Sequence, residues 1–293
     1  MSWWVIVNPR AGRRGEIESR VRTVLSRLGI GYRLRASEHA DHVGELVAEG
    51  REAGARKFVS VGGDGTANLV LNGLFVEAWN DPPTLALLPT GSGSDFARTF
   101  ALPKRLEEAA AHLRGDETYP TDVGVIEGGF GRRFFLNVAD VGVAAASVAF
   151  ANRLPRRLGG VRYGVGFWLK LAAYPAAIIQ LTAGDRSYEG PAINVVLANG
   201  QFFAGGMNVA PRATVMDGRL DIQVFKGPRR HAFTVMPRVV RGTHLHHSAV
   251  RRFESATFEL SCPGRWPVEA DGEMLGHGSV KGRIVPAAVN FKI

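Results

Sequence analysis

Cysteine is almost absent from this chain: Cys262 is the only one in 293 residues. A single thiol excludes an internal disulfide framework and any zinc site built on several cysteines, so a reducing, cytoplasmic setting is expected. Long uninterrupted apolar runs are also missing. The most apolar stretch, Tyr163 to Leu181, is broken by Lys170, Pro175 and several glycines and alanines, which suits an amphipathic or buried helix rather than a membrane span. The opening Met1-Ser-Trp-Trp-Val-Ile-Val has neither the basic n-region nor the cleavage site of a signal peptide and reads directly as a strand. There are no repeats, no low-complexity tract, no GxxxxGK[ST] phosphate loop, and no HRD or DFG set of the protein-kinase kind. The eight histidines make no metal-ligand spacing, and His244, His246 and His247 read as solvated.

Positive charge is plentiful. Thirty-six Lys and Arg against 27 Asp and Glu leave a net +9, which calls for an anionic partner. No nucleic-acid motif accompanies the charge, so an acidic membrane surface and a nucleotide are the expected partners. Arg153, Arg156, Arg157, Arg162 and Lys170 alternate with Leu154, Leu158, Phe167 and Trp168. That pattern fits lipid heads, and equally a solvated helix face.

Strands alternate with helices in the first part of the chain. Trp3–Val7, Tyr32–Ala36, Phe58–Val61 and Thr84–Leu88 read as strands, with helices over 16–28 and 40–49 and another after Gly65. This order predicts a parallel α/β sheet, whose ligands bind beyond the carboxyl ends of the strands. After about Tyr119 the pattern changes to strands with glycine turns. Strands are expected at 121–126, 134–138, 192–198, 220–225, 253–260, 265–270 and 284–293, with helices at 143–153, 161–179 and 231–241. Two domains follow, 1–118 and 119–293.

Three glycine-rich turns sit at strand ends in the first domain: Asn8-Pro-Arg-Ala-Gly12, Gly62-Gly-Asp-Gly-Thr66 and Gly91-Ser-Gly93. Glycines there let backbone N–H groups approach a phosphate, which the following helix N-terminus also favours. Asp64, among such amides, makes sense only beside a metal or a proton to be removed. Asp95 and Asp122 also lie beside glycines at strand ends, where a buried charge must be paired or metal-bound; turn capping is the alternative. Farther on, Asp217-Gly218 and Asp271-Gly272-Glu273 are acidic turns that a type I turn and a hairpin would explain without any function.

Taken together, the Asn8–Gly12 turn, the GGDGT of residues 62–66 and the Leu88-Pro-Thr-Gly-Ser-Gly-Ser-Asp-Phe-Ala97 stretch, with further motifs near 122, 210 and 271, resemble the diacylglycerol kinase catalytic domain. That family holds bacterial diacylglycerol kinases and sphingosine and ceramide kinases, and the resemblance spans almost the whole chain. It implies an α/β nucleotide-binding domain and a β-rich lipid-binding domain, the last strand returning toward the first. It also implies a kinase that uses ATP and Mg²⁺ to phosphorylate a lipid hydroxyl, of diacylglycerol or ceramide/sphingoid type, peripherally at the inner face of an anionic membrane. Asn8, Pro9, Arg10, Gly12, Ser37, Gly62, Gly63, Asp64, Gly65, Thr66, Asn68, Gly91 and Ser92 would then line the nucleotide site. Asp64, Asp95, Asp122 and Asp271 would form a magnesium–water network. The Val209–Leu220 stretch implies a second, structural Mg²⁺ on Asp217 and the carbonyls of Thr214 and Arg219. Glu273 takes the place of the proton acceptor, with Asp64 as the rival base. Residues 91–95 depart from the family's GTGND, being Gly-Ser-Gly-Ser-Asp, but Ser92 keeps a hydroxyl. An NAD kinase-like phosphotransferase shares the GGDGT turn and is the alternative enzyme; a non-catalytic nucleotide or lipid binder is the third reading. A homodimer is left open.

Overall fold

The computed structural model describes residues 2–9, 16–90, 94–154 and 161–293. The chain packs as two units, Met1–Thr121 with Ala287–Ile293, and Asp122–Pro286.

The first unit is built on β1 (Trp3–Val7), whose five apolar residues are all buried. β2 (Tyr32–Ala36) and β3 (Lys57–Gly62) flank it, β4 (Thr84–Pro89) lies beside β3, and every pairing is parallel. Near-continuous apolar runs such as WWVIV and FVSV belong in a sheet covered on both faces. Four of the covering helices are α1 (Glu16–Arg27), α2 (His42–Glu52), α3 (Asp64–Leu74) and α5 (Leu106–Ala111), with the short α4 (Asp95–Thr99) before the last. α1 shows why: Ile17, Val21, Val24 and Leu25 share one face and are buried against the sheet. β1 lies between β2 and β3, so the chain leaves it on one side and comes back on the other. Crevices at such a switch point are where ligands bind in open α/β sheets.

The second unit is antiparallel. Its strands are β5 (Thr118–Gly128, starting in the first unit), β6 (Gly131–Phe135), β7 (Val138–Gly142), β8 (Ala177–Ala183), β9 (Arg186–Ala198), β10 (Phe202–Phe203), β11 (Met207–Asn208), β12 (Leu220–Lys226), β13 (Val250–Ser255), β14 (Thr257–Ser261), β15 (Pro267–Ala270), β16 (Glu273–His277) and β17 (Val280–Lys292). β17 runs on past Pro286, and its end, at Asn290 and Phe291, pairs in parallel with β4 of the first unit's sheet. The path β16-β15-β7-β9-β8-β14-β17 makes one sheet, with β12 and β13 continuing from β9. Trp266, Phe253, Phe258 and Phe135 fill the core of this unit. Helices α6 (Val143–Ala151), α7 (Val161–Ala173) and α8 (Ala232–Val240) cover a second apolar cluster.

The α/β-then-β expectation holds, and several element boundaries need correcting. The helix expected over 161–179 stops at Ala173. Pro175 ends it, and the following Ala177–Ala183 alternates, with Ile179, Leu181 and Ala183 buried and Ile178, Gln180 and Thr182 exposed, as a strand requires. The strand expected over 253–260 is two strands broken at Ala256, because β13 pairs with β12 and β14 with β8 and β17. The 134–138 strand is likewise two: β6 closes the hairpin on β5, and β7 begins anew at Val138. α4, α5 and β16 were not foreseen; the first two are a turn or two long, too short for periodicity to register. Among the described residues no helix is long and apolar enough to cross a membrane.

Candidate active site

The turns after β1 and β3 meet at the switch point of the first unit. Asn8 Nδ2 donates to Thr66 Oγ1 at 3.1 Å, and Asn8 N–H donates to Val61 O at 3.1 Å. Gly62 has to be glycine: a Cβ there would sit 2.4 Å from Thr66 Oγ1. Gly63 enters α3 in an extended conformation, and its carbonyl accepts from Thr66 and Ala67, so the helix starts directly at Asp64 with its positive end at the turn. Thr66 and Asn68 are buried on α3, Asn68 Oδ1 accepting from Asn72 Nδ2 at 3.0 Å. Ser37 follows β2 and spends both its N–H and its hydroxyl on Val7 O. Asn8, Ser37, Gly62, Gly63, Asp64, Gly65, Thr66 and Asn68 thus cluster at the carboxyl ends of three adjacent strands, with Pro9 just beyond Asn8. Arg10, Gly12, Gly91 and Ser92 lie outside the described residues.

Asp64 has a structural duty that its place in the sequence does not suggest. Its Oδ2 accepts from Asp95 N at 3.0 Å and its Oδ1 from Phe96 N at 3.4 Å, so it binds the first turn of α4 as a cap would. This brings Asp64 and Asp95 together across 31 positions. Asp95 is itself buried, with the Arg98 guanidinium 3.8 Å away.

In the second unit Asp122 and Asp217 share the 214–219 turn. Asp122 Oδ2 accepts from Gly218 N at 2.7 Å, its N–H donates to Val215 O, and Asp217 Oδ1 accepts from Arg219 N at 3.0 Å. Partial burial first, then the charge of Asp122, pushes the Asp217 carboxyl upward. A turn with excess negative charge and only oxygen donors fits a hard cation, which would relieve that strain. Among the described residues no three acidic, histidine or cysteine side chains converge, so backbone carbonyls such as those of Thr214 and Arg219, with water, would have to complete the shell.

The Asp271–Glu273 turn divides its labour. Asp271, at φ 48°, accepts from Leu136 N at 2.8 Å and from Asn137 N and Val138 N at 2.9 and 3.2 Å. Those three donors give its carboxylate a place without any metal. Glu273, opening β16, is exposed and free of that work. Its carboxyl is pushed up first by the water that neighbouring protein atoms displace and then by the charge of Asp271, a direction that suits a proton acceptor.

Three features of this unit were missed. Asp140 and Glu269 are fully buried and face each other in register on β7 and β15. Asn194 Nδ2 donates to Asp140 Oδ1 at 2.7 Å and Gly272 N to Glu269 Oε2 at 2.9 Å, while among the described residues Asp140 Oδ2 and Glu269 Oε1 are buried without a hydrogen-bond donor. Burial raises both carboxyls. An aspartate inside VADVG and a glutamate inside PVEA, both otherwise apolar strands, were the available signals. His244 is the second: it is buried, not solvated, with Nε2 3.0 Å from Val209 O and 2.8 Å from Gln223 Oε1, and burial lowers its pKa. Third is an apolar cavity of about 70 Å³, walled by Val143 and Val148 of α6, Phe167 of α7, Val235 and Val239 of α8, and Phe225. Asp140 and Asn194 stand at its polar edge. Alanines 144–146 on α6 hinted at the room that small residues leave.

Residues 2–126 match the diacylglycerol kinase catalytic domain, and residues 137–292 match the YegS C-terminal NAD kinase beta sandwich-like domain. A probable lipid kinase YegS-like protein of Cronobacter sakazakii is 26% identical over 84% of this chain and 81% of its own. The probable lipid kinase YegS of Shigella flexneri is 24% identical over 90% and 87%. Two solved structures from Bacillus anthracis str. Sterne, described as diacylglycerol kinases, cover 99% of this chain and 96% of theirs at 20% identity, with TM-scores of 0.81 and 0.73; they show the fold. With its nucleotide-type turns on one unit and its strand-built acidic turns on the other, both inside matched domains, this chain is a kinase of the diacylglycerol kinase family with a YegS-type second domain.

Proposed function

We propose that this kinase transfers the γ-phosphoryl group of ATP, with Mg²⁺, to the hydroxyl of a lipid of the diacylglycerol or ceramide/sphingoid type. The observation that carries the reading is the cavity of the second unit, whose walls are mostly aliphatic and aromatic, as the chains of a lipid require, with its few polar groups, among them Asp140 and Asn194, left for a headgroup. Asn8, Ser37, Thr66 and the glycines of 62–65, with Pro9, Asn68 and the flanking Arg10, Gly12, Gly91 and Ser92, bind the nucleotide. Mg²⁺, when bound, would neutralise phosphate charge. Asp64 and Asp95 would hold it, with Asp122 and Asp271 as further candidates. Asp217 with the Thr214 and Arg219 carbonyls would hold the structural cation. Glu273 takes the proton of the lipid hydroxyl as its oxygen attacks the γ-phosphorus, and ADP leaves. The kinase works as a peripheral protein at a membrane surface.

The test is transfer of labelled γ-phosphate by the purified protein, with and without Mg²⁺, onto diacylglycerol, ceramide, sphingosine and phosphatidylglycerol in mixed micelles, and onto NAD. Label in one lipid, dependent on Mg²⁺, is expected. Label in NAD and in no lipid would overturn the reading in favour of a dinucleotide kinase.

A further inference from the structure

The outer faces of α7 and α8 are built the wrong way round for helices that only cover a core. On α7, Val161, Val165, Trp168 and Leu169 recur at i, i+4, i+7 and i+8, the spacing of a buried stripe, yet all four are exposed, Leu169 by 57%. The opposite side of the same helix already does the packing. Phe167 lines the cavity, Leu171 joins the core with Val143 and Ile193, and Gly166 lets α6 approach so closely that a Cβ would lie 2.9 Å from Ser147 O. α8 repeats the arrangement: Val235 and Val239 point inward, while Phe233 and Val240 are 66% and 59% exposed. The two stripes join, for Trp168 and Phe233 stack with ring centroids 5.1 Å apart. Arg229 Nη1 donates to Ala172 O, fastening the turn before α8 to the end of α7.

The charge around this apolar strip has one sign. There is no Asp or Glu from 141 to 184 or from 222 to 253. Arg229, Arg230 and Arg241 flank Phe233 and Val240, are exposed, and among the described residues pair with no carboxylate. Exposed aliphatic and aromatic side chains rimmed by unpaired arginines are the make-up of an interfacial helix face on anionic lipid. A second copy of this chain fits poorly, because a two-fold interface would set the same arginines against each other. The strip's aliphatic content also favours acyl chains over a nucleic acid.

We infer that the outer faces of α7 and α8 dock the protein on an anionic lipid bilayer, with Trp168, Leu169, Phe233 and Val240 entering the acyl boundary and Arg229, Arg230 and Arg241 meeting the headgroups. Phe167, His231 and Ala232, the chain neighbours of Trp168 and Phe233, line the apolar cavity, so docking sets the walls of that cavity against the layer where lipids reside. The use of this docking rests on the lipid-kinase reading; the docking itself does not.

Sedimentation of the full chain with vesicles of phosphatidylcholine, alone or mixed with phosphatidylglycerol, tests it at low and high salt. Wild type should favour the anionic vesicles and weaken with salt. A Trp168→Ser, Phe233→Ser double variant should lose about tenfold or more in binding. Arg229→Glu with Arg230→Glu should abolish the anionic preference, a second route should the first variant fold poorly by circular dichroism. Phosphorylation of a short-chain diacylglycerol in detergent should be unchanged in both. If that phosphorylation is absent even in wild type while vesicle binding still follows these residues, the docking stands and the lipid-kinase reading falls. Variants that sediment like wild type, or equal binding to neutral vesicles at both salts, would overturn the inference. So would light scattering that shows a dimer dissolved by the same substitutions.

Discussion

The chain carries two acid–glycine turns that look alike in sequence, Gly63-Asp64-Gly65 and Asp271-Gly272-Glu273, and they differ in which acid is left for chemistry. In the first, one carboxylate does two things: Asp64 holds the N–H groups of Asp95 and Phe96 and stands at the switch point of a parallel sheet. In the second the tasks are split. Asp271 accepts from three backbone donors of 136–138, and Glu273, two residues on, is exposed and raised in pKa. An acidic motif therefore does not say which of its carboxylates the backbone holds; the distant N–H groups that reach one of them do.

The sharpest way to break this comparison is Glu273→Gln. If Glu273 is the base, kcat should fall by about 10²–10⁴-fold with ATP affinity little changed, since the nucleotide turns belong to the other unit. Normal kcat at saturating lipid and ATP would return Glu273 to the status of a turn residue and leave Asp64 as the base. Asp64→Asn should lower turnover by about 10²–10³-fold and weaken metal-nucleotide binding as well. Its melting temperature should fall modestly, because asparagine keeps one acceptor oxygen for Asp95 N–H and turns an amide donor toward Phe96 N–H. A large loss of stability in that variant would mean that Asp64 is chiefly structural.

The smallest effect expected concerns the buried carboxyl pair of Asp140 and Glu269, which we expect to hold a proton between them. Both carboxyls are raised in the fold by burial, so folding takes up protons that the unfolded chain gives up above roughly pH 4. The stability they contribute is full below that pH and is lost as pH rises toward the folded values. Glu269→Gln keeps an acceptor for Gly272 N–H and offers a donor to Asp140, so it should flatten the decline of stability toward neutral pH, by on the order of 1 kcal/mol. Denaturant melts at about pH 5 and about pH 8, early and late in that decline, measure it. Identical slopes in wild type and variant would mean that the pair shares no proton.

Much of this was legible beforehand where local pattern and tertiary need agree. The strands of the parallel sheet and the amphipathic α1 appear within a residue or two of where periodicity puts them, since burial on both faces, or along one stripe, leaves a plain signature. The Asn8, Ser37 and Gly62–Asn68 cluster was legible because a parallel sheet brings successive strand ends to one edge. What was illegible depends on partners far along the chain. Nothing around residue 271 says that its carboxylate closes on 136–138, and nothing around 140 announces Glu269. His244 reads as a surface residue until Gln223 and Val209 are seen beside it. The cavity is an absence of atoms between helices, and only the alanines of α6 hinted at it.

The last strand carries a consequence for how such a chain can be born. β17 belongs to the second unit as far as Pro286 and to the first from Ala287, where Asn290 and Phe291 lie beside Thr84 and Leu85 of β4. Until Asn290 and Phe291 have been made, β4 is a bare edge, open to pairing with any other strand. Asn290 lies 206 positions beyond its partner Thr84, so the parallel sheet gains its last neighbour only after the whole of the second unit has been synthesised.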